Sequence, residues 1–140
     1  MKRKINLYWH KHSEGHGNFG DELNHYIVKK LSNSEINYIN IELLDDRKVQ
    51  ALKLIIYNLF YGKLSLVEAF KYFKYNFFKN PTVIVCIGSV LQYCKMHTII
   101  VWGAGIINNS TELRKCKIVA VRGFYTVQRL KELGYDTPKV

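Results

Sequence analysis

Three short runs, Thr82 to Ile87, Thr98 to Trp102 and Lys117 to Val121, are continuous in Val and Ile rather than alternating with polar residues. Each stops at a glycine, Gly88, Gly103 and Gly123. A strand with one wet face alternates, whereas a continuous apolar run marks a strand covered on both faces, as in a parallel sheet between helices. Glycine at each end lets the backbone turn or approach a neighbour closely. These features predict an α/β domain whose loops gather at one edge of a mainly parallel sheet.

The intervening segments supply the helices. Ile5 to Trp9 is strand-like and is followed by a polar, Gly-rich loop, His10 to Gly20. Leu23, Ile27, Val28 and Leu31 then fall at helical spacing. A second strand is expected at Tyr38 to Leu43, closed by Asp45-Asp46. Val49, Leu52, Ile56, Leu59 and Phe60, then Leu66, Phe70, Phe73 and Phe77, predict two helices broken near Gly62. The second should end at Asn80-Pro81, because proline pushes the preceding residue out of helical geometry. Thr126 to Leu133 predicts a last helix stopped by Gly134, and Thr137 to Val140 opens a further strand. Strands alternating with helices imply right-handed crossovers, with ligands bound outside the carboxyl ends of the strands. All of residues 1–140 fit one domain.

Composition narrows the partners. The formal net charge of +10 points to an anion: a phosphorylated small molecule, an acidic membrane or nucleic acid. The excess is nearly all lysine, a bias shared by AT-rich coding sequence, so charge alone does not choose among them. Nucleic acid would need clustered stacking aromatics, and here the aromatics fall at helix-core spacing, which argues against it. No apolar run approaches the ~20 residues that cross a bilayer, and Met1 to Asn6 leads into a strand rather than a signal-peptide core, so a cytoplasmic location is expected. For the Lys48 to Lys79 helices, packing on the sheet is the simpler expectation. The alternative is contact with an acidic membrane at the inner face, with the aromatics as anchors and Lys63, Lys71, Lys74 and Lys79 as charge partners. Cys86, Cys94 and Cys116 are odd in number, lack CxxC spacing and read as reduced structural thiols.

Four loops could carry chemistry. In the first, Gly15 to Asn24, Asn18 can cap the following helix, Asp21 falls in its first turn, and Gly17 and Gly20 admit a ligand to the backbone. A well-capped helix with no further role is the plain alternative. The second is Gly88-Ser89-Val90-Leu91-Gln92 and the third Trp102-Gly103-Ala104-Gly105-Ile106. Gly103-x-Gly105 is only part of a dinucleotide fingerprint, because Asn108 stands where the third glycine belongs. The fourth places Arg122 and Gly123 at a strand's carboxyl end, before a helix that Thr126 or a neighbour could cap. An arginine fork suits carboxylate or phosphate. His10, His12 and His16 share the first loop but lack a placed carboxylate or thiolate, so no metal is expected; one of them could bind an anion or move a proton.

Taken in order, Asn18-Phe19-Gly20-Asp21-Glu22-Leu23-Asn24, Ile87-Gly88-Ser89-Val90-Leu91, Val101-Trp102-Gly103-Ala104-Gly105-Ile106 and Val121-Arg122-Gly123 resemble the polysaccharide pyruvyl transferase family. The resemblance covers nearly the whole chain. It implies a Rossmann-like sheet forming the amino-terminal half of a glycosyltransferase-B-like enzyme that moves the enolpyruvyl group of phosphoenolpyruvate onto a sugar as a pyruvate ketal, in capsule, exopolysaccharide or cell-wall synthesis. The partners implied are phosphoenolpyruvate as donor substrate, with no separate cofactor, and a saccharide acceptor, free or lipid-linked. Asp21 and Arg122 are the implied catalytic residues, with Gly17, Asn18, Gly20, Asn24, Gly88, Ser89, Gly103, Gly105 and Gly123 shaping the substrate site. Phe124 and His25 replace prolines usual in the family. The family continues into a Gly-Asp-Pro motif and a second domain, so these residues alone are expected to be inactive. A nucleotide-sugar glycosyltransferase and a non-catalytic anion- or membrane-binding module are the competing readings.

Overall fold

A computed structural model describes residues 3–11, 19–107, 113–114 and 116–136. Five strands, β1 (Lys4–Tyr8), β2 (Glu35–Tyr38), β3 (Val83–Val85), β4 (Ile99–Trp102) and β5 (Lys117–Ala120), form one sheet in the order β2-β1-β3-β4-β5. Every pairing is parallel. The strand order reverses between β1 and β3, so the chain leaves these neighbours in opposite directions and opens a crevice between their carboxyl ends.

Alternation along the strands assigns the helices to faces. Leu7, Trp9 and Cys86 turn to one side, where Val28 of α1 (Phe19–Ser32) covers them. Tyr8, Val83, Val85, Ile99 and Val101 turn to the other. There they meet Ile55 of α2 (Lys48–Phe60), Ala69 and Tyr72 of α3 (Leu66–Lys74), and Val127 and Leu130 of α4 (Phe124–Glu132). The Ser65–Glu68 capping box starts α3, and a π-turn at Tyr75–Lys79 carries it to Asn80. Gly134, at φ +80°, follows the end of α4.

Three expectations need correction. The second strand is Glu35–Tyr38, not Tyr38 to Leu43: the Asn40 side chain accepts the Glu42 N–H at 3.1 Å and caps a 3-10 turn at Ile41–Leu43, taking those residues out of the sheet and into the core. The Val/Ile runs are not all covered on both faces. Since α1 packs over β1, β2 and the end of β3, Val119 and Trp102 remain 43% and 50% exposed. The apolar spacing in α2 and α3 also chose the wrong arc. Ala51, Ile55, Ala69 and Tyr72 are buried, whereas Val49, Leu52, Ile56, Phe60, Leu66 and Phe70 face outward. Leu59 and Phe73 are the members of the expected stripe that pack against the core.

A buried polar knot fastens the α3 end to the sheet. The Asn76 amide donates to the carbonyls of Leu43 at 2.8 Å and Tyr72 at 2.9 Å, and accepts the Asp45 N–H at 3.0 Å. Asp45 Oδ1 accepts Arg47 N–H and Nε, and Oδ2 accepts Nη2. Burial would raise the Asp45 carboxyl, but the Arg47 hydrogen bonds and charge more than offset it and hold the group below its ordinary value. A lowered folded value stabilises the protein above the unfolded carboxyl value of about 3.9, and this contribution is lost as pH falls through the folded value. Urea midpoints taken from about pH 6 to about pH 3 should therefore fall more steeply for the native chain than for Asp45→Asn, with the gap between the two closing in acid. Parallel curves would show that Asp45 carries no such linkage.

Candidate functional site

Residues from three of the four segments expected to meet converge on the carboxyl edge of the sheet. A cleft of about 390 Å³ opens there, within the range that holds small molecules. His10 enters from the loop after β1, and Gly20 and Asp21 from the first turn of α1. Ile87, Gly88, Ser89 and Val90 come from the loop after β3, Gln92 and Tyr93 from the 3-10 turn Leu91–Tyr93, Ile107 from beyond β4 and Arg122 from beyond β5.

Arg122 holds the far wall. Its Nη2 donates to the Ser89 hydroxyl at 2.7 Å, bridging the loops after β3 and β5. The backbone beneath is tied in register: Arg122 N–H donates to the Ala104 carbonyl at 3.1 Å, and Gly105 N–H to the Gly88 carbonyl at 2.9 Å. Gly105 is buried, and a Cβ on it would stand 3.3 Å from the Thr126 hydroxyl and in ordinary contact with the Arg122 carbonyl and Nε, at 3.5 and 3.7 Å, so Arg122 packs directly over this loop. Asp21 faces it across the cleft, largely buried, at the α1 N-terminus where a negative charge is favourable. Its carboxylate lies 3.2 Å from where a Cβ on Gly88 would sit, so a side chain there would press on Asp21 and strain the backbone at φ +111°.

The remaining predicted residues support the cleft rather than line it. Asn24 is fully buried: its Nδ2 donates to the carbonyls of Asp21 and Ile87, each at 3.1 Å, and its Oδ1 accepts the Ile87 N–H at 2.7 Å. Gly103 faces an apolar recess with Ile27, Val28, Cys86 and Trp102, away from Arg122. Gly123 is the N-cap of α4, with no side-chain cap present, and Thr126 does not cap the helix; its hydroxyl accepts the Ile106 N–H at 3.2 Å. Gly17 and Asn18 lie outside the described residues, as do His12 and His16. The structure therefore brings Gly20, Asp21, Gly88, Ser89 and Arg122 to one cleft and leaves Gly103 apart from it.

Sequence reasoning did not single out Gln92 and Tyr93 as site residues. Gln92 Nε2 donates to the Ser89 carbonyl at 2.7 Å, while its buried Oε1 has no partner among the described residues. The signal for Gln92 was its position in the Gly88 to Gln92 loop, and Tyr93 lies one residue beyond it.

A second cavity of about 610 Å³ shares His10 with the first. Its walls are Tyr8, Lys11, Tyr38, Asn40, Glu42, Leu43, Asn58, Lys63 and Leu64, a mixture of aromatic rings and polar side chains. Tyr8 donates to Glu42 Oε1 at 2.7 Å, and burial together with that carboxylate drives its phenol well above the usual range, so it stays a donor. His10 Nδ1 is 4.0 Å from the same oxygen. Lys11 Nζ lies 3.9 Å from the centre of the Tyr38 ring. Among the described residues, no cluster of three or more His, Cys, Asp or Glu side chains is placed to hold a metal ion. Cys86 and Cys94 are buried free thiols, the former pushed up to about 11 by burial, which leaves it protonated and packed.

No protein-family model, curated protein or solved structure matches this chain.

The two positive-φ glycines beyond β4 and β5 should behave differently. A Cβ on Gly103 (φ +101°) would lie 2.9 Å from the Cys86 carbonyl oxygen, whereas Gly123 (φ +81°) has nothing within 4 Å. Gly103→Ala should lower stability by roughly 2–4 kcal/mol and Gly123→Ala by about 1 kcal/mol in denaturant unfolding. Equal losses would mean that backbone conformation alone, without the close approach, sets both.

Proposed function

We propose that the cleft binds a small phosphorylated carboxylic acid, and that the chain is the donor-binding domain of a transferase resembling the polysaccharide pyruvyl transferases. The observation that carries this is the Arg122 guanidinium on the Ser89 hydroxyl at the crevice between the carboxyl ends of β1 and β3. An exposed guanidinium on that rim can pair with a carboxylate or phosphate in a fork, and the serine can donate to a third oxygen. Phosphoenolpyruvate carries both groups. Three of the four motifs that resemble the family are the segments from which Gly20, Asp21, Gly88, Ser89 and Arg122 reach the cleft. The five-stranded parallel sheet is also compatible with a Rossmann-like half of a glycosyltransferase-B-like enzyme.

In this reading the acceptor is a saccharide, and the neighbouring cavity supplies polar groups that saccharides use: Asn40, Glu42 and Asn58, beside the Tyr38 ring. A ketal joins two acceptor oxygens to the central carbon of the enolpyruvyl group. One hydroxyl adds to that carbon as a proton goes to the terminal methylene; the second then takes the place of phosphate, which leaves with the remaining proton. The first addition needs an acid for the methylene and a base for the hydroxyl. In this reading Asp21, which lines the cleft, accepts a hydroxyl proton or hydrogen bond, and His10, which lines both cavities, carries a proton between them. Arg122 counters the charge of the departing phosphate.

Binding can be measured on this chain without turnover. Titration calorimetry should show phosphoenolpyruvate binding, with Arg122→Ala weakening it roughly tenfold to a hundredfold and Arg122→Lys recovering only part, since a lysine lacks the fork. Binding of a nucleotide sugar with no response to phosphoenolpyruvate would replace this reading with a glycosyltransferase.

A further inference from the structure

The outward arcs of α2 and α3 are the largest feature that the cleft does not explain. Val49, Leu52, Ile56 and Phe60 recur along one side of α2, with Phe60 84% exposed. On α3, Leu66, Val67 and Phe70 are 76%, 80% and 70% exposed, and Phe78 on the π-turn that follows is exposed as well. The two helices run antiparallel on the same face of the sheet: Lys48, at the start of α2, donates to the Asn76 carbonyl and sits 5.5 Å from the Phe77 ring centre. Their buried sides join one core, so both apolar arcs face away from it. Apolar surface of this extent on a folded domain marks a contact site.

The charge around it selects the partner. Residues 48–79 carry six lysines, Lys48, Lys53, Lys63, Lys71, Lys74 and Lys79, against a single carboxylate, Glu68. Lys53 and Lys74 are exposed and belong to the outward arcs, and the exposed Lys63 follows α2. Tyr57 and Tyr61, also exposed, bring phenols to the same end as Phe60. Apolar side chains bordered by aromatics with polar tips and by lysines match the boundary between acyl chains and anionic headgroups. No helix among the described residues is long and apolar enough to cross a membrane, which is consistent with a helix pair lying in the headgroup plane.

We propose that the α2–α3 face docks on an anionic lipid bilayer. Phe60, Phe70 and Phe78 enter the acyl boundary while Lys53, Lys63 and Lys74 meet the headgroups. Asn58, Lys63 and Leu64, at the turn between the helices, also wall the second cavity, so docking sets that cavity beside the lipid surface. The proposal does not depend on the transfer reading, because lipid binding is measured without any substrate.

Vesicle flotation tests it with the full 140-residue chain. Vesicles of phosphatidylcholine alone are compared with vesicles containing about 30 mol% phosphatidylglycerol, at about 0.1 M and about 0.5 M NaCl. The chain should float with the anionic vesicles at low salt and at least about fivefold less with either neutral vesicles or high salt. The Phe60→Ser, Phe70→Ser double variant should lose at least about tenfold in partitioning, and the Lys53→Glu, Lys74→Glu variant should lose the preference for phosphatidylglycerol. All four positions are exposed, so both variants should keep the native thermal midpoint, which separates lost contact from lost fold. Absence of flotation overturns the proposal, as does equal binding to both vesicles. So does a stable dimer in light scattering that the Phe variant converts to monomer without changing flotation, because the face would then belong to a second copy.

Discussion

The arrangement of the rim depends on one buried amide. Asn24 sits on the inner side of α1 and spends its donor and acceptor capacity on backbone, two carbonyls and one N–H, two of these three bonds being to Ile87 just beyond β3. Side chains of this kind fix position more tightly than apolar packing, because a displaced partner leaves a polar group dry and unpaired. By joining α1 to the segment after β3, Asn24 sets the gap between the Asp21 carboxylate and the Gly88 loop, and through Gly88 and Gly105 that placement extends to Arg122.

Glycines let the segments at the carboxyl edge approach one another, most closely at Gly103. Gly88 admits Asp21, Gly103 comes against the Cys86 carbonyl, and Gly105 lies under Arg122. The loops after β3, β4 and β5 are knitted by the Gly105 to Gly88, Leu91 to Gly105 and Arg122 to Ala104 hydrogen bonds. A guanidinium presented from such a base loses little further freedom when it meets an anion, and preorganisation of this kind favours binding.

The strands and the edge on which the loops gather were legible because their cause is local: Val and Ile runs ending at glycine have few other uses in a chain of alternating helices. What escaped was decided by a local cap in one case and at a distance in the others. The Tyr38 to Leu43 segment is apolar enough for a strand, but the Asn40 cap turns it into the core. Both α2 and α3 are apolar around more than one arc, so spacing could not say which arc is buried. Small residues at Ala51 and Ala69 and the three backbone bonds of Asn76 settle it. In the candidate site, Arg122, Ser89, Gly88, Gly20 and Asp21 were readable as loop residues on the ligand edge. The supporting duties of Asn24 and Gly105, and the separation of Gly103, were not, because each depends on which loop lies opposite.

Both tryptophans of the chain stand at the carboxyl end of a strand, yet in opposite surroundings. Trp9 is enclosed between His25 and Tyr38, one residue before the imidazole shared by both cavities, while Trp102 is half bathed in solvent on the sheet face that α1 leaves open. The indole emission of this protein should accordingly combine a shielded component beside the rim with a quencher-accessible component from the uncovered part of the same sheet face, an intrinsic optical probe that distinguishes events at these two places without any added label.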